Sequence, residues 1–128
     1  MIPSAPSRSK RVLIVEDDDD AREIIGELIG ALGHDVVPAA SAGQAVLETE
    51  RQPPDVAFID LGLPGVDGCE TARRIRSTVA GAGVRLVALT GYSDDSTRER
   101  ALAAGFDAFI VKPAHTTALE AAVNGVNA

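Results

Sequence analysis

Residues 12–20 read VLIVEDDDD, four consecutive apolar residues followed at once by five acidic ones. An apolar run this short, rich in Val and Ile and bounded by charge, reads as a β-strand covered on both faces, since a strand with one wet face would alternate apolar with polar. The acids behind it then mark the carboxyl end of the strand and the entry to a helix. Glu16 and Asp17 follow the strand directly. Asp18 to Asp20 read as helix-start charge, because carboxylates cap free N–H groups there and favour the positive end of the helix dipole.

Working outward, the same unit recurs. Further short runs lie at Asp35 to Pro38, Val56 to Ile59 (VAFI), Leu86 to Leu89 (LVAL) and Ala108 to Val111 (AFIV). Helical spacing fills the intervals. Ile24, Ile25, Leu28, Ile29 and Leu32 precede Gly33, and Ser41 to Arg51 precede Pro53 and Pro54. Asp67 to Thr78 place Cys69, Ala72 and Ile75 on one face, Asp94 to Ala104 stop at Gly105, and Ala114 to Asn124 form the last helix. Five strands alternating with five helices predict a parallel sheet with right-handed crossovers and helices on both faces, a doubly wound α/β sandwich. The domain is expected over residues 11–125, behind a flexible leader over residues 1–10, MIPSAPSRSK.

Composition agrees and excludes. The chain has 128 residues, 45% hydrophobic and 24% charged, enough for one domain with its own core. No stretch approaches the ~18 uninterrupted apolar residues of a membrane span. No signal peptide opens the chain, and Cys69 alone cannot form an internal disulfide, so a cytoplasmic location is expected. Nineteen acidic residues against twelve basic ones, a formal net charge of −7, argue against nucleic-acid binding through the bulk surface.

In a doubly wound sheet the reactive crevice lies outside the carboxyl ends of the strands. Those ends deliver Glu16 and Asp17, Asp60, Thr90, and Lys112 followed by Pro113. Three carboxylates brought together repel one another, and a hard divalent cation such as Mg²⁺ relieves that repulsion through oxygen ligation. Asp60 precedes the loop LGLPG, which ends the strand and leaves its carboxylate exposed as a nucleophile toward phosphorus. Lys112 is one of two lysines in a chain with twelve basic residues, and its compact charge suits a small phosphoryl group. A cis bond before Pro113 would aim it back into the crevice. Thr90 offers a hydroxyl to a phosphoryl oxygen. Each residue alone has an ordinary reading: a loop or capping acid, an exposed strand-end lysine, a threonine bonded to backbone. Their combination carries the chemistry.

The series VLIVED, IDLGLPGVDG, ALTG and VKP, in that order, resembles the receiver domain of bacterial two-component response regulators over about residues 11–125. The resemblance implies a flavodoxin-like (βα)5 receiver fold and a phosphoacceptor regulatory domain rather than an enzyme, with at most self-phosphorylation from small donors and autodephosphorylation. Asp60 would take a phosphoryl group from a histidine kinase or histidine phosphotransfer protein. Asp17 and Asp60 would bind Mg²⁺ directly, Glu16 through water, and the backbone carbonyl of Gly62 would complete the protein ligands. Thr90 and Lys112 would hold the phosphoryl oxygens. Phe109 would be the switch aromatic that moves with Thr90; its residue type alone reads as a core or edge-strand aromatic. Gly62 and Tyr92 fall where the family tunes attack of water on the acyl phosphate.

The implied output is a contact with a downstream protein or domain through the face from Tyr92 to Ala104 with Phe109, since no effector segment fits after the last helix. A free-standing regulator and a receiver cut from a hybrid histidine kinase both fit. Two alternatives compete. A phosphatase of haloacid-dehalogenase type needs a second acid two residues after its nucleophile, where this chain has Gly62. An unphosphorylated scaffold receiver would leave the acidic set without a task.

Overall fold

The computed structural model describes residues 9–63 and 65–125, so residues 1–8 of the expected leader lie outside the described residues. The order of elements is β1 (Arg11–Val15), α1 (Asp19–Ala31), β2 (Asp35–Ala39), α2 (Ala42–Arg51), β3 (Val56–Asp60), α3 (Gly68–Ser77), β4 (Arg85–Thr90), α4 (Asp95–Ala103), β5 (Ala108–Val111) and α5 (Thr116–Val123). The strands form one sheet in the order β2-β1-β3-β4-β5, every neighbouring pair parallel. This is the doubly wound α/β architecture expected from the alternation of strand and helix.

Period-two alternation along each strand builds two separate cores. Leu13, Val15, Ala57, Ile59, Leu86 and Ala88 point to one face, where Ala45 of α2, Cys69, Ala72 and Ile75 of α3, and Ala101 of α4 cover them. Val12, Ile14, Val56, Phe58, Val87 and Leu89 point to the other, under Ile25 and Ile29 of α1 and Leu119, Ala122 and Val123 of α5. The central strands β1, β3 and β4 are thus buried almost throughout, while the edge strands β2 and β5 are only partly covered. Pro38 is tolerated because β2 is an edge strand, with one side free of ladder bonds.

Local chemistry sets the helix starts. Asp18, Ser41, Asp67 and Asp94 each accept a backbone N–H of the first turn, at 2.8, 3.2, 2.9 and 3.0 Å. The last helix begins at Thr116, two residues later than its sequence suggests, and His115 before it makes no side-chain capping bond. Within α1, Ile25 and Ile29 are buried four residues apart, whereas Ile24 is 56% exposed, since a step of one residue rotates it off that stripe. Lys10, placed in the leader by composition, is bound: its N–H donates to His34 Nδ1 (3.0 Å) and its Nζ to the Val123 carbonyl (2.8 Å). Among the described residues no helix is long and apolar enough to cross a membrane.

Two outcomes are expected from this packing. Ile29→Ala removes a buried side chain and lowers unfolding stability by about 2–5 kcal/mol, whereas Ile24→Ala changes it by about 0.5 kcal/mol or less, both read by urea denaturation. The Thr97 hydroxyl and then its N–H hold the Asp94 carboxyl below its ordinary value of 3.8. The stabilisation from this cap is therefore complete above pH 3.8 and lost as pH falls through the lower folded value. The stability gap between wild type and Asp94→Ala, followed by acid titration of unfolding, should narrow in that window.

Candidate functional site

The sheet register brings the strand ends to one edge. Val15 lies beside Ile59, Asp60 beside Leu89 and Thr90 beside Val111, so Glu16, Asp60, Thr90 and Lys112 follow or close four adjacent strands. Asp60 and Thr90 are the last residues of β3 and β4 rather than the first of their loops, and the ladder holds their backbone. One carboxylate oxygen from each of Glu16, Asp17 and Asp60 lies within 4.8 Å of the others. Glu16 is 2% and Asp60 8% exposed, so Asp60 is buried rather than exposed as its loop suggests, because it closes a strand covered on both faces; Asp17 alone of the three is open to water.

Lys112 reaches into this cluster. Its Nζ stands 2.9 Å from Glu16 Oε1 and 3.4 Å from Asp60 Oδ1. The Lys112–Pro113 peptide is cis, and the Lys112 N–H donates to the Thr90 carbonyl at 2.7 Å. Burial pushes the Glu16 carboxyl above the ordinary carboxylate range; the bonds from Lys112 and from the Asp18 N–H pull the other way without cancelling it. For Lys112, burial works against the charged form, but the bond to Glu16 and the negative charge of Asp60 outweigh it and leave the ammonium above its ordinary value. Lys112 is therefore a cation at neutral pH.

Asp60 is held from its own loop. The Gly62 N–H donates to Asp60 Oδ1 at 3.0 Å, and the Leu61 N–H to the Leu89 carbonyl at 2.9 Å. A Cβ at position 62 would stand 3.6 Å from Asp60 Oδ1, so the glycine leaves that side of the carboxylate uncovered. The Thr90 hydroxyl accepts the Tyr92 N–H at 3.0 Å, leaving its proton for another acceptor. The donor set, all oxygen with one carboxylate open to water, fits a hard divalent cation that keeps part of its water shell. Among the described residues no Cys or His joins the cluster.

Phe109 contributes no atom to the carboxylate cluster. It pairs with Ala88 on the edge strand β5 and is half-buried, and the Arg98 guanidinium lies 5.0 Å from its ring centroid. With Leu102, Val111 and Ala118 it lines a cleft of about 440 Å³ between α4, β5 and α5. Phe109 thus lies on an edge strand, in the wall of that cleft.

Two contributors escape a sequence reading focused on strand ends. Gly68, the first residue of α3, packs so tightly beneath Asp60 that a Cβ there would fall 2.6 Å from Leu61 Cα and closer still to the Asp60 carbonyl oxygen. Arg22 donates to the carbonyls of both Glu16 and Asp17. Its signal is a cation within the first turn of α1, where the helix dipole disfavours positive charge.

Residues 12–124 match the family model of the response regulator receiver domain. The chain is 35% identical over 115 residues to the transcriptional regulatory protein AfsQ1 of Streptomyces coelicolor, covering 90% of this chain and 50% of that protein. It is 35% identical over 112 residues to a gliding motility regulatory protein of Myxococcus xanthus, covering 87% of this chain and 14% of that one. The chain thus spans half or less of the length of these two relatives. It is similar to the solved receiver domain of a sensor histidine kinase of Pseudomonas aeruginosa, which has a magnesium ion in its active site cleft; identity is 32%, TM-score 0.84, and coverage 91% of this chain and 96% of that one. A Vibrio cholerae chemotaxis protein shares the fold at TM-score 0.87 and 22% identity, over 93% of this chain and 99% of that one.

The close approach of Gly68 has a matched control elsewhere. A Cβ at Gly81 would collide with the Ile75 carbonyl and stand 2.7 Å from Thr78 Oγ1, remote from the strand ends. Gly68→Ala and Gly81→Ala are each expected to lower stability by about 1–3 kcal/mol through overpacking. Only Gly68→Ala should also weaken binding of a divalent cation by the folded protein, measured by calorimetric titration below the unfolding temperature of both. Equal cation affinity in the two variants would show that Asp60 does not depend on this contact.

Proposed function

The chain belongs to the response regulator receiver domain family, and from that membership we propose that Asp60 accepts a phosphoryl group in a Mg²⁺-dependent transfer that switches a partner-binding surface. One observation carries the assignment to this residue: Lys112, Glu16 and Asp17 all converge on the Asp60 carboxylate at the edge of the sheet. The donor would be the phosphorylated imidazole of a histidine kinase or histidine phosphotransfer protein.

In the transfer an Asp60 carboxylate oxygen attacks phosphorus. A P–O bond forms, the P–N bond breaks, and its electron pair stays on the imidazole nitrogen, which takes a proton from solvent. The Gly62 N–H on Asp60 Oδ1 orients the carboxylate, leaving its other oxygen for the attack. Lys112, already 3.4 Å from Asp60 Oδ1, is placed to follow negative charge onto the phosphoryl oxygens, and the free Thr90 hydroxyl proton supplies a second donor. Asp17, Asp60 and the Gly62 carbonyl would hold Mg²⁺, with Glu16 acting through water. When bound, Mg²⁺ neutralises the oxygens that develop charge during phosphoryl transfer.

The product acyl phosphate carries about 1.5 to 2 negative charges and new acceptor oxygens. These draw Thr90 and its loop inward, and the surface from Tyr92 to Ala104 with Phe109 shifts in population toward a form that a downstream protein or domain reads. Tyr92 and Leu102 are exposed there, and the cleft beside Phe109 adds apolar surface. Phe109 acts in this reading as the switch aromatic. The role is regulatory, and the cytoplasm, where such donors and a reduced Cys69 are found, is its compartment. A haloacid-dehalogenase reading gains no support, because Gly62 supplies no second acid.

Intact mass after incubation with a small acyl phosphate and Mg²⁺ tests the assignment. The wild type should gain the mass of one phosphoryl group and Asp60→Asn none, while Lys112→Ala should gain it more slowly, by about 10-fold or more. A wild type that stays unmodified would favour a scaffold role, and a fully modified Asp60→Asn would place the acceptor elsewhere.

A further inference from the structure

We propose that Arg22 is a positioning residue for the cation site: its guanidinium holds the backbone of Glu16 and Asp17, and through it their carboxylates, in the ligating arrangement. This rests on the reading of Glu16, Asp17 and Asp60 as a divalent-cation site.

Only residues 16–18 connect β1 to α1, so the two acids have no regular structure of their own. The Asp18 carbonyl already accepts the Arg22 N–H as the first bond of the helix. The carbonyls of Glu16 and Asp17 precede that bond and need another donor. Arg22 Nη1 supplies it, at 2.8 Å to Glu16 O and 3.4 Å to Asp17 O, while Nη2 pairs with Asp19 Oδ1 at 2.5 Å. One planar group thus bonds Glu16, Asp17 and Asp19 together, and the Arg22 side chain is only 20% exposed. Fixing both carbonyls fixes the peptide planes on either side of Asp17, and with them the direction of its Cβ. Glu16 is tied from the other side by its N–H on the Ala39 carbonyl at 3.1 Å.

The location of this charge makes the role separable from simple electrostatics. A guanidinium at the amino end of α1 opposes the helix dipole and also repels a cation bound by the neighbouring carboxylates. If charge alone mattered, removing Arg22 would tighten cation binding. If Arg22 positions the loop, removing it loosens binding. The two accounts differ in sign. Lysine separates them again, because it keeps the charge but not the fork that reaches both carbonyls and Asp19.

The test is calorimetric titration of MgCl₂ into metal-free protein, with amide hydrogen exchange of the loop as a metal-independent readout. Arg22→Met and Arg22→Lys are both expected to weaken Mg²⁺ about 10-fold or more, as loss of a group that orients metal ligands does. Exchange at the Asp17 to Asp19 amides should quicken in both without Mg²⁺. Unchanged or tighter binding by Arg22→Met, or wild-type affinity in Arg22→Lys, would overturn the proposal and leave the cation site standing. A wild type that binds no Mg²⁺ would overturn the site reading and the proposal together. Should Arg22→Met fail to fold, Arg22→Lys decides alone.

Discussion

Three carboxylates within 4.8 Å of one another repel, and the surrounding structure exists in a form that resists that repulsion. Two of them, Glu16 and Asp60, sit on or next to strands buried on both faces, so they cannot swing apart without disturbing the sheet. The Lys112 ammonium is in contact with both. Lys112 follows β5, the far edge of the same sheet, and Glu16 follows β1, so a single charge contact ties the end of β1 to the end of β5. Parallel strands make this possible, because they present all their carboxyl ends on one side.

Stability is unevenly distributed around that site. α3 buries five of its ten residues against the sheet, and its first residue packs directly on the Asp60 backbone. By contrast α4 buries only Thr97 and Ala101, and residues 91–96, the loop before it and its first two residues, are exposed. A segment with few buried contacts opens at low free-energy cost. The Asp60 carboxylate is therefore anchored on its α3 side, while the loop beyond Thr90 on its α4 side has few contacts that would resist movement. That asymmetry suits the proposed division between an acceptor that must stay in place and a surface that must move.

The sequence conveyed the fold and the strand-end residues because both depend on local, repeating signals. Short Val- and Ile-rich runs, capping acids and terminal glycines are each read within a few residues, and parallel topology follows from their alternation. What it conveyed poorly were relations set by rotation or by contact at a distance. Ile24 and Ile25 are equally apolar neighbours, yet only Ile25 enters the core, because one residue turns the side chain by about 100° on a helix. Lys112 could be named as a partner for phosphate, but its pairing with Glu16 across 96 residues depends on the strand order. Gly68 carried no signal beyond following a capping Asp67, since a missing side chain reveals nothing of what would have struck it. Arg22 did carry one, a cation where the helix dipole opposes it, legible once the electrostatic anomaly is taken seriously.

The charge of the site links these parts. With its carboxylates ionised, the cluster of three acids and Lys112 holds a net of two negative charges, which a divalent cation would neutralise. A phosphoryl group joined to Asp60 adds about 1.5 to 2 negative charges while consuming the carboxylate's own. The cluster is then negative again, at a point now farther out from the sheet than Asp60 Oδ1. Lys112 can follow part of this change, because its side chain is long and its backbone is fixed to Thr90. The remainder falls to donors that can be brought closer, and the Thr90 hydroxyl, at the end of the adjacent strand, has a proton to give. Because Thr90 ends its strand, a pull on its side chain acts on the exposed segment behind it rather than on the buried sheet. In the proposed mechanism, an electrostatic imbalance at one carboxylate is thereby converted into displacement of the exposed residues 91–96, where few buried contacts resist it.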